Sequence, residues 1–150
     1  PQKIFFWPID PPRDYSLGAF GVKRHYLSKG LIKETGFHRG VDFIVPKGKK
    51  IKAINDGIVV LAVKPPEEFL KEGCFVIIYH GKNLFSLYLH LSEVFVENDQ
   101  LVKRGEVIGL VGNSGNASDT APHLHFGIKY WGVDIDPVDF LKTVNNFFQK

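Results

Sequence analysis

The run Cys74-Phe75-Val76-Ile77-Ile78-Tyr79-His80-Gly81-Lys82-Asn83-Leu84-Phe85-Ser86-Leu87-Tyr88-Leu89-His90 sets the fold class. Each half is strand-length and rich in β-branched and aromatic residues, and Gly81-Lys82-Asn83 between them is turn chemistry. Side chains alternate along the second half. Leu84, Ser86, Tyr88 and His90 share one face, and Phe85, Leu87 and Leu89 share the opposite, more apolar one. His90 is therefore expected to close a strand on its more polar face.

Working outward, the same pattern holds from residue 41 to residue 110, broken at Pro46-Lys47-Gly48, Asn55-Asp56-Gly57 and Lys103-Arg104-Gly105. Asn55-Asp56-Gly57 predicts a hairpin between the apolar runs 51–54 and 58–63, because Asn, Asp and Gly tolerate the positive φ of tight turns. Pro65-Pro66-Glu67-Glu68 opens a short helical turn ended by Gly73. Residues 1–40 read as loop and turn with one or two short strands, residues 1–17 being an N-terminal extension or linker to a core domain spanning 18–140. The polar stretch 112–122 is long enough to form a functional rim. A helix is expected over 137–149: Asp136 caps it, Pro137 suits its first position, and Phe140, Val144, Phe147 and Phe148, with Leu141 beside them, form one apolar stripe. The expectation is one all-β domain of antiparallel strands with a short C-terminal α-helix.

Composition agrees. A chain of 150 residues buries enough surface for one core. Its 15 glycines and 9 prolines exceed average usage, about 12% together, which favours turns and short strands over a helical bundle. Thirteen Phe, five Tyr and two Trp exclude intrinsic disorder. A single cysteine, Cys74, excludes an internal disulfide framework and a cysteine-based zinc knuckle. The longest apolar runs, 58–63 and 74–79, fall far short of the roughly 20 residues of a membrane span. Net charge is +3, with 13 basic and 8 acidic residues in positions 1–75 against 6 and 8 in 76–150. The lysines are scattered rather than gathered in an Arg- and aromatic-interleaved stripe, so a nucleic acid is not an expected partner. Contact with an anionic polymer remains open. The chain starts at Pro1 and holds no Met, so a piece of a longer translation product, with its targeting segment elsewhere, is expected.

Six histidines stand out against the one cysteine. In Pro122-His123-Leu124-His125-Phe126, strand alternation puts His123, His125 and Gly127 on one face and Leu124, Phe126 and Ile128 on the other, apolar one. In His38-Arg39-Gly40-Val41-Asp42, Gly40 argues against a helix and places His38 in a loop and Asp42 at the start of a strand. Two imidazoles and a carboxylate without thiolate form a donor set that suits a catalytic zinc, whose fourth position is left to water.

Taken together, these stretches resemble the lysostaphin-type (LytM-type) zinc peptidoglycan endopeptidases. The matching segments run in the family's order: Phe20-Gly21 with Arg24-His25, His38 to Asp42, Ile54 to Val59, Val76 to Gly81, Leu87 to Ser92, Leu101 to Gly109, Gly112 to Gly115 and Pro122 to Phe126. Asp136-Pro137 also fits. The resemblance implies a barrel-sandwich hybrid fold of duplicated halves, which suits the two similar turns Val45-Pro46-Lys47-Gly48 and Val102-Lys103-Arg104-Gly105. It implies that His38, Asp42 and His125 hold one Zn2+ per chain and that His90 and His123 are catalytic. The implied substrate is a peptide cross-link of peptidoglycan, outside the cytoplasm, cut by an attacking water that the metal activates. His123 is the candidate base and His90 the partner for the oxyanion and leaving amine, the two roles being exchangeable. A monomer, alone or as part of a longer protein, is expected, with anionic cell-wall polymers as further partners. His25 and His80 are expected to be structural, and Cys74 a buried strand residue. Two positions depart from the family pattern: Gly127 stands where many members carry Glu, and no tyrosine lies just before His38, Tyr26 being the nearest. Two other readings compete: a non-catalytic regulatory or wall-binding member of the same fold, and a biotinyl- or lipoyl-type carrier suggested by residues 102–108. Against the carrier, the candidate tip Asn55-Asp56-Gly57 holds no lysine.

Overall fold

A computed structural model describes residues 4–15, 18–21, 23–28, 31–115 and 120–148, with the backbone alone for the first two strands and for residue 148. In chain order the elements are β1 (Lys23–Ser28), β2 (Leu31–Phe37), β3 (Val41–Ile44), β4 (Lys50–Lys52), β5 (Gly57–Val63), β6 (Cys74–Tyr79), β7 (Leu84–Val94), β8 (Leu101–Val102), β9 (Val107–Val111), β10 (His123–Tyr130), β11 (Val133–Ile135) and α1 (Pro137–Phe148). Every paired strand is antiparallel. β1 and β2 form a two-stranded sheet of their own. The other nine form one sheet in the order β11-β10-β7-β6-β5-β8, with β3 added on β10, β9 on β7 and β4 on β9. The all-β reading with one C-terminal helix holds.

β7 is the strand on which the sheet turns. Its first part pairs with β6 and β10; from Leu91, where the β6 ladder ends at Cys74, β9 takes the place of β10. The ladder to β6 steps from Leu89↔Phe75 to Leu91↔Cys74, so His90 is the extra residue of a bulge, with φ of +68°. A strand that changes partners needs such a bend, and a bulge supplies it by adding local twist.

The core is built from Phe43, Ile54, Ile78, Leu124, Phe126 and Ile128, with Leu141 of the helix closing one side. On β10 the apolar face is the one that alternation predicts. On β7 it is not. Leu84, Ser86 and Tyr88 are buried, while Phe85, Leu87 and Leu89 are half-buried. The reason is a hydrogen-bonded chain inside the core. Tyr88 accepts the Ile54 N–H at 3.2 Å, its hydroxyl lies 2.8 Å from Ser86 Oγ, and Ser86 Oγ lies 2.7 Å from His80 Nε2. His80 Nδ1 donates to the Asp56 carbonyl at 2.8 Å. Every member has a partner when protons run from Tyr88 through Ser86 to a neutral His80, so a polar face is buried without loss.

The predicted hairpin at Asn55-Asp56-Gly57 is corrected. β4 pairs with β9, and β5 pairs with β6 and β8, so these runs are not partners. The turn docks sideways: Asp56 Oδ1 accepts the Arg104 N–H at 2.8 Å, and Ala53 exchanges backbone bonds with Glu106 and Gly105. Asp56 serves this docking through its side chain, while Asn55 Oδ1 accepts the Asp56 N–H at 2.9 Å within the turn.

In α1, Asp136 Oδ1 accepts the N–H groups of Val138 and Asp139 at 3.0 and 3.3 Å, which is the expected cap. The buried stripe is shifted, however. Phe147 is exposed; the buried positions are Pro137, Leu141 and the polar Asn145, with Phe140 and Val144 half-buried. The Asn145 amide donates to the Phe5 carbonyl and accepts the Phe5 N–H, both at 3.0 Å, while Phe140 meets the Phe5 ring edge-on at 5.2 Å. The N-terminal stretch thus packs into the domain, with Phe5 and Ile9 in the core.

Burial holds the His80 pKa below its ordinary 6.5, against opposing contributions from Asp56. As pH falls below that ordinary value the unfolded chain takes up a proton that folded His80 resists, so stability declines toward acid. The unfolding temperature of wild type is expected to fall between about pH 7 and about pH 5, and His80→Gln to show a shallower decline. Equal slopes in thermal melts would contradict the neutral, half-buried role of His80.

Candidate metal centre

Antiparallel register builds the first half of the site. β3 and β10 pair Asp42 with His125, and directly opposed residues project to the same face. His38 reaches that face from the turn after β2. The turn lies flat on β10 because Gly40 has no side chain: a Cβ there would come within 2.7 Å of His125 Nε2 and 2.6 Å of the Phe126 carbonyl. Two carbonyl contacts from the preceding loop fix the orientation. His38 Nδ1 donates to the Ala19 carbonyl at 3.2 Å, and the Asp42 N–H donates to the Gly18 carbonyl at 2.9 Å.

The three donor atoms then form a triangle. His125 Nδ1 and Asp42 Oδ1 are 2.9 Å apart, His38 Nε2 and His125 Nδ1 3.2 Å, and His38 Nε2 and Asp42 Oδ1 3.3 Å. A tetrahedral ion with bonds of about 2.0–2.1 Å requires donor separations of about 3.3 Å, so the triangle has the size that zinc demands. Its chemistry fits as well. With its Nδ1–H given to Ala19, His38 presents a lone pair to the triangle, and Asp42 presents a carboxylate. Burial opposes the Asp42 charge, but the adjoining His125 and His38 imidazoles outweigh it and hold the carboxyl well below the usual range. Among the described residues this is the cluster that could hold a metal ion.

His90 and His123 stand beside the triangle. The His90 ring lies 5.2 Å from that of His123 and 6.1 Å from that of His125, centre to centre. Regular alternation would send His90 into the core with Tyr88, and the bulge turns it to the opposite face. The expectation that His90 ends its strand is corrected accordingly, since β7 continues to Val94. In both rings Nδ1 contacts a backbone carbonyl, Ser114 for His90 and Ala121 for His123, each at 2.9 Å. The neutral rings therefore carry their proton on Nδ1 and leave Nε2 as the lone-pair nitrogen. Burial, followed by the nearby His123 and His125, pushes His90 down to about 4.

All five histidine and aspartate positions singled out in the sequence are thus brought together. Sequence reading missed the carbonyls of Gly18, Ala19, Ser114 and Ala121 that orient them, because backbone groups leave no mark in residue identity. Tyr88 is wholly buried and belongs to the core. Cys74 is a buried strand residue, and His80 belongs to the core chain. The side chains of His25, Tyr26 and Phe37 and residues 116–119 of the rim loop lie outside the described residues.

The sequence model of Peptidase family M23 matches residues 36–137, about two thirds of the chain and all five site positions. The chain belongs to peptidase family M23. Peptidoglycan DD-endopeptidase ShyA of Vibrio cholerae is 40% identical over 113 residues, 75% of this chain and 24% of that protein. A zinc-containing peptidase from Vibrio cholerae superposes with a TM-score of 0.73 and 31% identity, covering 90% of this chain and 39% of that one. The catalytic domain of lysostaphin from Staphylococcus simulans superposes with a TM-score of 0.66 and 29% identity, covering 87% of this chain and 92% of that domain. This M23 chain spans about a quarter of the length of the curated relatives it matches first.

Zinc titration into metal-free protein should therefore saturate at one ion per chain and raise the unfolding temperature. At a thousandfold excess over Kd the gain is about 4 kcal/mol. Asp42→Ala should lose the effect and His90→Ala should keep it. Equal zinc stabilisation of Asp42→Ala and wild type would exclude the triangle as the metal centre.

Proposed function

We propose that this domain is a zinc-dependent peptidoglycan hydrolase that cuts an amide bond in the peptide cross-links. The observation that carries the reading is the placement of two lone-pair imidazoles, His90 and His123, beside a donor triangle of zinc size. Membership of family M23 and similarity to a protein named a DD-endopeptidase support the substrate class.

His38, Asp42 and His125 would hold the metal. Zinc bound there supplies Lewis acidity toward a carbonyl oxygen and lowers the pKa of coordinated water to about 7. The protein's own groups do the proton work. His123 lies two residues from His125 on the same strand face, and its Nε2 can take a proton from the attacking water. The imidazolium so formed has Nε2–H as a donor. His90 presents the same atom as a lone pair at rest, so it would serve the oxyanion and the leaving amine only after receiving the proton taken from the water. The pinned Nδ1–H groups keep either ring from turning its proton toward the site at rest. This reading places the domain where peptidoglycan lies, outside the cytoplasm, acting as a monomer.

Purified peptidoglycan digested with zinc-loaded protein should release cross-link fragments identifiable by mass spectrometry, and chelation should stop the release. His123→Ala and His90→Ala should each lose about 10²–10⁴ in rate while binding zinc as wild type does. The reading fails if zinc-loaded wild type releases nothing. It fails equally if His123→Ala cleaves at the wild-type rate.

A further inference from the structure

Ser114 sits where three backbone segments meet. Its hydroxyl accepts the Cys74 N–H of β6 at 3.0 Å and donates to the Leu91 carbonyl of β7 at 2.8 Å. Cys74 and Leu91 are the register pair just beyond the bulge, so the hydroxyl ties the two strands together where the ladder skips His90. The carbonyl of the same residue accepts the His90 Nδ1–H at 2.9 Å. The His90 backbone is gripped from the adjacent loop, its N–H donating to the Glu72 carbonyl at 3.1 Å. This convergence requires a close approach of two glycines with φ of +70° and +71°: a Cβ on Gly73 would lie 2.3 Å from Ser114 Oγ, and one on Gly115 would lie 2.4 Å from Gly73 N.

We propose that Ser114 is the positioning residue of His90: its hydroxyl fixes the place of its own carbonyl against the β7 bulge, and that carbonyl sets the ring and its tautomer, leaving Nε2 as the lone-pair nitrogen beside His123 and His125. Ser114 touches no reacting atom and acts only through His90. The consequence for catalysis rests on the hydrolase reading; the consequence for the His90 ring does not. Ser92 supplies an internal control. Its hydroxyl also bonds backbone carbonyls, of Val111 at 3.0 Å and Leu110 at 3.4 Å, so it ties β7 to β9 without a bond to the His90 ring.

The test combines kinetics on soluble cross-linked muropeptides with nitrogen NMR of histidine-labelled, zinc-loaded full chain. Wild-type His90 should report a single tautomer with the proton on Nδ1. Ser114→Ala should bind zinc normally, lose about 10- to 100-fold in kcat with KM little changed, and show a mixed His90 tautomer. Ser114→Thr, which keeps the hydroxyl, should restore both, and Ser92→Ala should move neither. A wild-type His90 protonated on Nε2 overturns the proposal without any variant having to fold. So does a Ser114→Ala protein with the wild-type His90 signature, a Ser114→Thr protein that behaves like Ser114→Ala, or a Ser92→Ala protein that disturbs His90 as strongly. If wild type hydrolyses no muropeptide, the hydrolase reading fails, and the tautomer measurements still decide the role of Ser114.

Discussion

The bend of β7 at His90 is the constraint on which the rest depends. One strand must serve β6 and β10 over its first part and β9 over its second, and a single bulged residue in the left-handed region makes the change. Positive φ is uncommon for a residue other than glycine and persists where surrounding contacts hold it. Here the holding contacts are the Glu72 carbonyl on the backbone N–H and the Ser114 carbonyl on the ring. The same distortion that turns the sheet also turns the imidazole out of the core. Fold and site geometry therefore share one cause.

Around that bend the site divides into a fixed triangle of donor atoms and a pair of neighbouring imidazoles. The triangle is set by strand register and by the flat seat of Gly40, features as rigid as the sheet itself. Its charge is stabilised locally, since the Asp42 carboxylate is held ionised by the two imidazoles that would share a metal with it. The pair is set by backbone carbonyls that decide which nitrogen carries the proton. Metal ligation and proton transfer would both use a neutral nitrogen lone pair, so both would weaken as imidazoles become protonated in acid.

Much of this was legible in the sequence. Strand alternation in His123-Leu124-His125-Phe126 correctly separated an imidazole face from a core face, because Leu124, Phe126 and Ile128 are wholly apolar. The same rule misread β7. There Ser86 and Tyr88 look like solvent-facing residues, and their burial depends on His80 and on the Ile54 backbone, partners distant in sequence. Periodicity also favoured Phe147 over Asn145 in α1, since an amide that clamps a backbone 140 residues away gives no local signal. The turn at Asn55-Asp56-Gly57 was legible as a turn but not as one that docks on Arg104. Local chemistry announced turns, caps and candidate ligands. Long-range polar pairing decided which face was inside.

The most direct test of the division between metal-holding and proton-carrying residues is X-ray absorption at the zinc edge on protein loaded with one equivalent. The account predicts a shell of nitrogen and oxygen at about 2.0–2.2 Å with two imidazoles and no sulfur. It also predicts that His125→Ala removes one imidazole from that shell and that His90→Ala and His123→Ala leave it unchanged. Loss of an imidazole in His90→Ala or His123→Ala, or an intact shell in His125→Ala, would contradict it.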